Sequence, residues 1–299
     1  MSIIIDGKKV AQKIKQELKL ECEDFRKQGI IPKLAVIMVG DDPASKIYVR
    51  NKSKACEEVG IKYEEYLLNK DISQEKLMNL IERLNNDNKI NGILLQSPIP
   101  IHLDINKAFS GISQKKDVDG FNPINVGKLI MNQDTFVPCT PYGVMKLFDE
   151  YNIELNGKKV VILGRSNIVG KPISACCINR NATVTICHSK TVNIEEHTKN
   201  ADILIAAIGK PKFVKKEMVK KDVVIIDIGI NRTEEGKLVG DVDFKNIKEI
   251  ASYITPVPGG VGPMTIAMLM NNVIKATKIQ NKIIIKLEGA LIIMLFYIF

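Results

Sequence analysis

The chain has no C-x-x-C pair, no zinc-type cysteine spacing, no G-x-G-x-x-G fingerprint, no basic arm and no aromatic RNA-binding motif. Its six cysteines (Cys22, Cys56, Cys139, Cys176, Cys177 and Cys187) therefore read as reduced thiols, with neither a disulfide framework nor a metal centre expected. The formal net charge is +9, but lysine and arginine are spread along the whole length. That pattern reads as a lysine-rich solvated surface with mild attraction for polyanionic small molecules, and nucleic acid is not expected as a partner. Met1 to Val10 contains Asp6 and Lys8-Lys9 but no long apolar core, so no signal peptide is expected and the predicted location is cytoplasmic.

What is present suits a folded globular protein. The 299 residues are 45% hydrophobic and 26% charged, enough for one large domain or two ordinary ones. Ala290 to Phe299 is an unbroken apolar run, preceded by Ile283–Ile285 but interrupted by Lys286, Glu288 and Gly289. A membrane span needs about 20 apolar residues, so the tail from 281 to 299 is left without a role.

Strand-like and helix-like segments alternate, which predicts an α/β fold with parallel strands. Helical spacing covers Gly7–Gln28. A strand is expected at Leu34–Val39, then a helix capped by Asp42 with Pro43 at its first position and Gly60 past its end. Ile61–Leu68 and Gly92–Gln96 read as strands, with a helix capped by Ser73 between them. Residues 97–138 read as loop-rich. Thr140 and Pro141 then start a helix, followed by strands at Lys158–Leu163, Ala182–Cys187, Asp202–Ala207 and Val223–Ile228. A last helix is expected from Pro263 to about Lys278, and the domain seam falls near 120–140.

Gly164-Arg165-Ser166-Asn167-Ile168-Val169-Gly170 follows an apolar run and opens a helical stretch. A strand leading through a glycine turn into a helix N-terminus makes a phosphate cradle, although a purely structural turn also wants glycine there. In NAD-binding units an acidic residue about 20 positions on receives the ribose hydroxyls. Here the next strand ends Cys187-His188-Ser189-Lys190, without a carboxylate. Arg165, Ser166, Ser189 and Lys190 instead suit a 2′-phosphate, which favours NADP over NAD. His188 reads as a packing or adenine-side residue.

In the first half, Tyr48 and Lys52 share one helix face, which by spacing alone is an aromatic beside a solvated lysine. Gln96 ends a strand at its carboxyl end, where open α/β sheets receive ligands. Asp119 lies in the polar loop Lys115-Lys116-Asp117-Val118-Asp119-Gly120, as either a turn former or a ligand for an amidine-like heterocycle.

Taken in order, Tyr48-Val49-Arg50-Asn51-Lys52, Leu94-Leu95-Gln96-Ser97-Pro98-Ile99-Pro100, Lys116-Asp117-Val118-Asp119-Gly120-Phe121, Pro138-Cys139-Thr140-Pro141, Gly164-Arg165-Ser166 with Val169-Gly170, and Pro256-Val257-Pro258-Gly259-Gly260-Val261-Gly262-Pro263-Met264-Thr265 form a set. That set resembles the bifunctional methylenetetrahydrofolate dehydrogenase/cyclohydrolase family, over roughly residues 2–280. Two positions depart from the commoner pattern: Ser97 stands where an aliphatic residue is usual, and Asn122 where histidine is frequent. Both are expected to flank the folate pocket.

The resemblance implies two domains with a cleft between them. The first, a folate-binding catalytic α/β domain, would comprise residues 1–137 plus the helix 263–280. The second, a Rossmann-like NADP domain, would comprise residues 138–262. The implied chemistry, part of one-carbon metabolism and purine biosynthesis, is oxidation of 5,10-methylenetetrahydrofolate by NADP⁺. Hydrolysis of the methenyl product to 10-formyltetrahydrofolate would follow. Lys52 would act as the base, held by Gln96. Tyr48 would stack on the folate and Asp119 would accept its pterin N–H groups. Pro258, Gly259, Gly260 and Gly262 would approach the substrate closely. Ile230 would join Gly164, Arg165, Ser166, Gly170 and Ser189 on the cofactor. The resemblance also implies polyglutamylated tetrahydrofolate derivatives as substrates, a homodimer and no metal. The nearest alternative is a dehydrogenase that keeps only the oxidation step. From a different class, the alternative is a non-catalytic NADP-binding or nucleic-acid-binding protein.

Overall fold

The computed structural model describes residues 2–282. The apolar tail therefore lies largely outside the described residues. The chain opens with a two-residue strand β1 (Ile3–Ile4) and helix α1 (Gly7–Lys27). Next come β2 (Lys33–Val39), α2 (Pro43–Val59), β3 (Lys62–Leu68), α3 (Gln74–Asn86) and β4 (Gly92–Leu95). The segment expected to be loop-rich contains two helices, α4 (Ile105–Gly111) and α5 (Pro123–Ile130). Both are short, and both have a legible start. The Asp104 carboxylate accepts the Asn106 and Lys107 N–H groups, and Asn122 Oδ1 accepts the Ile124 N–H.

The second half runs through α6 (Cys139–Glu150), β5 (Lys159–Leu163), α7 (Gly170–Ile178), β6 (Thr183–Cys187), α8 (Ile194–Lys199), β7 (Ile203–Ala206) and β8 (Val224–Asp227). A small antiparallel pair β9 (Asn231–Arg232) and β10 (Leu238–Val239), a short α9 (Phe244–Ile247), β11 (Tyr253–Ile254) and the long α10 (Val261–Gln280) complete it.

Two parallel sheets result. The smaller has the order β3-β2-β4, extended by a bridge from Ile93 to Asp117. The larger has the order β1-β11-β8-β7-β5-β6. Strands β2 and β4, covered on both faces, are almost wholly buried runs such as Lys33-Leu-Ala-Val-Ile-Met-Val39. Edge strand β3 alternates partly exposed with exposed residues.

The chain's first strand departs from a boundary at residue 137, since β1 forms the edge of the larger sheet by pairing with β11. Helix α10 starts two residues before Pro263 and packs along α1, α2, α6 and β4. Its buried residues Met264, Met268, Val273 and Ile274 share one apolar core with Leu34, Val36, Leu94, Val144, Phe148 and Ile162, so a single core joins the two sheets. No helix among the described residues is long and apolar enough to cross a membrane.

Candidate active site

Helix α2 begins where the Asp42 carboxylate accepts the Ser45 N–H at 2.7 Å, and it stops at Gly60, which takes the left-handed φ of 94°. Tyr48 and Lys52 lie one turn apart on it. Tyr48 is 41% exposed, a large aromatic side chain partly open to solvent. Lys52 turns inward, and its Nζ donates to Gln96 Oε1 at 2.9 Å. Gln96, just beyond β4, is buried, and its Nε2 donates to the Ser97 carbonyl at 2.6 Å. The amide is thereby oriented with its oxygen toward the lysine.

Burial pushes the Lys52 amine below the ordinary lysine value, against the opposing pull of Asp119 and the Cys139 and Cys56 thiols. Asp119 is shifted the other way. Burial raises it, while Lys52 and a hydrogen bond from the Cys139 thiol hold it down. Cys139 in turn sits well above the ordinary thiol range, because it is buried beside Asp119. A lysine, a carboxyl and a thiol from three separate segments thus share one desolvated space.

The loop that carries Asp119 is built by its neighbour. Asp117 Oδ1 accepts the N–H groups of Gly120 and Phe121, each at 3.1 Å. Its Oδ2 accepts the Asn122 N–H and Asn125 Nδ2, each at 2.8 Å. Asn122 is committed to the same task. It is 4% exposed, and its Nδ2 donates to the Ile112 carbonyl at 2.8 Å. It therefore holds the loop rather than facing a substrate.

The glycine turn between β5 and α7 is tightly packed. Gly164 takes φ of 115°, and a Cβ there would fall 2.3 Å from the Ala207 carbonyl oxygen. A Cβ on Gly170 would meet the Gly164 carbonyl oxygen at 2.2 Å, so both positions require glycine. Ser166 Oγ accepts the Val169 and Gly170 N–H groups at 3.1 and 3.3 Å, just ahead of and at the first residue of α7, which leaves its O–H free to donate. Leu163 pairs with Cys187, so Arg165 and Ser189 emerge from neighbouring strand ends. Both are exposed, and Arg165 has no ion pair among the described residues. His188 Nδ1 accepts the Lys190 N–H at 3.1 Å and braces that turn.

In the 256–263 segment the glycines divide. A Cβ on Gly7 would sit 1.9 Å from the Gly260 carbonyl oxygen, and one on Gly260 would sit 2.5 Å from the Pro256 carbonyl oxygen. Gly259 takes φ of 105°, and its carbonyl accepts the Lys8 N–H at 3.0 Å. These two are demanded by the fold itself. Gly262 is different, because the nearest atom to its missing Cβ is Ile230 Cδ1 at 3.9 Å. Nothing among the described residues packs closely enough to require a glycine there. The Ile230 loop after β8 therefore meets the start of α10. Close by, Thr140 Oγ1 and Thr265 Oγ1 lie 3.0 Å apart, linking the first turns of α6 and α10.

The structure thus brings Lys52, Gln96 and Asp119 together, with Tyr48 one turn away. It groups Gly164, Arg165, Ser166, Gly170 and Ser189 at the ends of β5 and β6. Ile230 and Gly262 mark a third point. Sequence reasoning missed the loop-building role of Asp117, although an aspartate two residues before Asp119 and three before a glycine is itself a turn signal. It also missed Cys139 as the neighbour of Asp119, for which no local signal exists. Among the described residues no group of three His, Cys, Asp or Glu side chains is arranged to hold a metal ion.

Comparison with known proteins bears on the family and the fold. The family model for the tetrahydrofolate dehydrogenase/cyclohydrolase catalytic domain matches residues 5–119, and that for the NAD(P)-binding domain of the same family matches residues 138–281. The bifunctional protein FolD of Acetivibrio thermocellus is 54% identical over 279 residues, covering 93% of this chain and 98% of that one. The crystal structure of the bifunctional methylenetetrahydrofolate dehydrogenase/cyclohydrolase FolD from Campylobacter jejuni superposes with a TM-score of 0.93 at 50% identity, covering 94% of this chain and all of the other. The Trypanosoma brucei enzyme, solved with NADP cofactor and inhibitor, gives a TM-score of 0.90 at 37% identity over 94% of this chain and 99% of its own. Two matching family models, agreement along nearly the full length of each relative and the paired sheets lead to one conclusion: the chain belongs to the tetrahydrofolate dehydrogenase/cyclohydrolase family.

Proposed function

We propose that this enzyme oxidises 5,10-methylenetetrahydrofolate with NADP⁺ and then hydrolyses the methenyl product to 10-formyltetrahydrofolate. The observation that carries the reading is the buried amine of Lys52, held at 2.9 Å by Gln96 and neighboured by Asp119. An ordinary lysine is charged at neutral pH and useless as a base. Burial lowers this one, and its hydrogen-bonding partner is a neutral amide that adds no charge to reverse the shift.

Asp119 contributes a second control. As a free carboxylate it would stabilise the ammonium form of Lys52. Once it accepts the pterin's N–H groups, its charge is committed to the substrate, and its pull toward the ammonium form of Lys52 weakens before the water step. The cationic methenyl group acts in the same direction. Oxidation makes fewer demands, since the folate's own nitrogen lone pair assists departure of the hydride, and positioning is the main requirement. The partly exposed ring of Tyr48 supplies a stacking surface for that purpose.

The cofactor cradle fits NADP. The unpaired Arg165 stands beside Ser189, with no carboxylate at the end of β6 to repel a 2′-phosphate. When bound, NADP⁺ supplies the hydride acceptor. Residues 1–137, apart from β1, together with residues 263–280 of α10 are assigned to the folate unit, and residues 138–262 to the NADP unit. Polyglutamylated substrates, a homodimeric state and a cytoplasmic location complete the proposal, each supported by the family relationship.

The test is an absorbance assay on methylenetetrahydrofolate with NADP⁺ and NAD⁺ in parallel, together with methenyltetrahydrofolate in the absence of nucleotide. Oxidation preferring NADP⁺ and nucleotide-free hydrolysis are both expected. Oxidation without hydrolysis would leave a monofunctional dehydrogenase, and absence of both would overturn the proposal.

A further inference from the structure

Two buried acids at the C-terminal edge of the larger sheet have no part in the chemistry above, yet each accepts several hydrogen bonds from the protein. Asp227 ends β8 and is 2% exposed, and Asp241 follows β10 and is wholly buried. Asp227 Oδ1 accepts the Gly229 N–H at 3.0 Å and the Asp241 N–H at 2.9 Å, and its Oδ2 accepts the Val242 N–H at 2.9 Å. Asp241 reaches in the other direction. Its Oδ2 accepts the Ile208 and Gly209 N–H groups at 2.7 and 3.0 Å, and its Oδ1 accepts the Lys210 N–H and Asn231 Nδ2, each at 2.9 Å.

The carboxylates also dictate the sequence around them. A Cβ on Gly240 would lie 1.8 Å from Asp227 Oδ2, and one on Gly229 would lie 2.2 Å from Asp241 Oδ1. Each acid occupies the volume that a side chain on the other's loop would need. Three loops are tied in this way: 207–210 after β7, 228–231 after β8 and 240–242 after β10. The first contains Ala207, whose carbonyl packs on the Gly164 turn, and the second contains Ile230, which faces Gly262. Ligands of open parallel sheets lie across strand ends of this kind.

We propose that Asp241 is a positioning residue for the dinucleotide: by clamping the loop after β7 to Asn231, it sets the spacing between the Gly164 cradle and the Ile230 backbone that together receive the cofactor. The inference rests on the functional reading above. A bare core carboxylate would serve stability alone. This one instead draws its four donors from the two loops that face the cofactor, and none from the folate-side elements α2, β4 or the 117–122 turn.

The experiment compares wild type with Asp241→Asn, which keeps the shape but turns an amide N–H₂ toward backbone donors. Binding is read by NADPH fluorescence titration, oxidation by the KM for NADP⁺ against kcat, and the second step by nucleotide-free methenyltetrahydrofolate hydrolysis. Loss of a charged acceptor predicts a rise of about 10- to 100-fold in the NADPH dissociation constant and the KM for NADP⁺. Hydrolysis is expected to stay within about twofold of wild type, since it needs no cofactor. Asn231→Ala removes one donor and leaves the rest, so it serves if Asp241→Asn does not fold. Its expected rise in the same constants is about 3- to 10-fold. Hydrolysis falling in step with NADPH affinity would reduce Asp241 to a stability residue and overturn the proposal, as would unchanged NADPH affinity in Asn231→Ala. Wild-type protein lacking both activities would sink the functional reading instead, a result distinct from either.

Discussion

Replacing Lys52 with glutamine should separate the two reactions of this enzyme. The substitution keeps a hydrogen-bonding side chain on the α2 face opposite Gln96 but removes the amine that burial has shifted toward neutrality. A positioned general base contributes about 10²- to 10⁴-fold, or about 2.7–5.5 kcal/mol of barrier. Hydrolysis of methenyltetrahydrofolate should therefore fall by at least about 100-fold. The oxidation step asks nothing of a base, so its loss is limited to imperfect placement of the folate. One weakened hydrogen bond is worth about 0.5–1.5 kcal/mol, which caps the loss near tenfold. The assay follows methenyl absorbance in two ways: its appearance from methylenetetrahydrofolate with NADP⁺, and its decay without nucleotide. In the variant, methenyl product should accumulate, whereas wild type should consume it. Parallel loss of both activities would make Lys52 a binding residue, and the assignment of the base would fail.

Removing the guanidinium by Arg165→Ala should raise the KM for NADP⁺ by about 10- to 100-fold, as expected for a charge-assisted contact, and change that for NAD⁺ by less than about threefold. Equal effects on the two cofactors would refute the 2′-phosphate assignment. Because burial lowers the Lys52 pKa, hydrolysis should climb with pH through that lowered value and level off above it, below the ordinary lysine value of 10.5. A rate that declines as the amine deprotonates would contradict its role. Stability has the matching sign. Between the lowered value and 10.5 the unfolded chain binds the extra proton, so the contribution of Lys52 is present at high pH and lost as pH falls through the folded value. Chemical denaturation of wild type and Lys52→Gln across pH should therefore show the variant gaining, relative to wild type, toward acid. Finally, Gly260→Ala forces a Cβ to 2.5 Å from a carbonyl oxygen, whereas Gly262→Ala finds its nearest neighbour at 3.9 Å. The first should lower Tm by about 3–10 °C, and the second should leave Tm unchanged while weakening ligand binding. A stable Gly260→Ala, or a Gly262→Ala with full affinity, would reverse the division made between these glycines.

Much of this arrangement is legible in the sequence because its signals are local. Asp42, Pro43 and Gly60 delimit α2, and the buried run after Lys33 can be little other than an interior parallel strand. Helices α4 and α5 escape notice because each has barely two turns and lies among prolines, serines and glycines, so the periodic signal is too short to exceed the turn signal. Their caps, Asp104 and Asn122, were there to be read. Strand β1 has two residues and exists only because β11 offers an edge from the far end of the chain. The same holds for Cys139 beside Asp119 and for Asp227 with Asp241. Their meaning comes from segments distant in sequence, and no spacing rule reports it. Glycine shows the limit most clearly. Gly229 and Gly240 look like ordinary loop residues until the carboxylate that fills each missing side chain is in view.

Helix α10 acts as a ruler. Near its first turn, Gly262 faces Ile230 of the dinucleotide loop, and further along Asn272 Nδ2 donates to the Val118 carbonyl at 2.8 Å, immediately before Asp119. Gln280 at its far end donates to the Asn91 and Lys115 carbonyls at 2.7 and 3.1 Å. From Gly262 to Asn272 an unbroken helix spans about 15 Å, at about 1.5 Å per residue. The separation between the proposed folate and dinucleotide sites is thus written into the residue count of one stiff rod rather than left to a hinge. Inserting or deleting a single residue between those contacts would turn one end by about 100° relative to the other. Both sites would survive intact, but out of register.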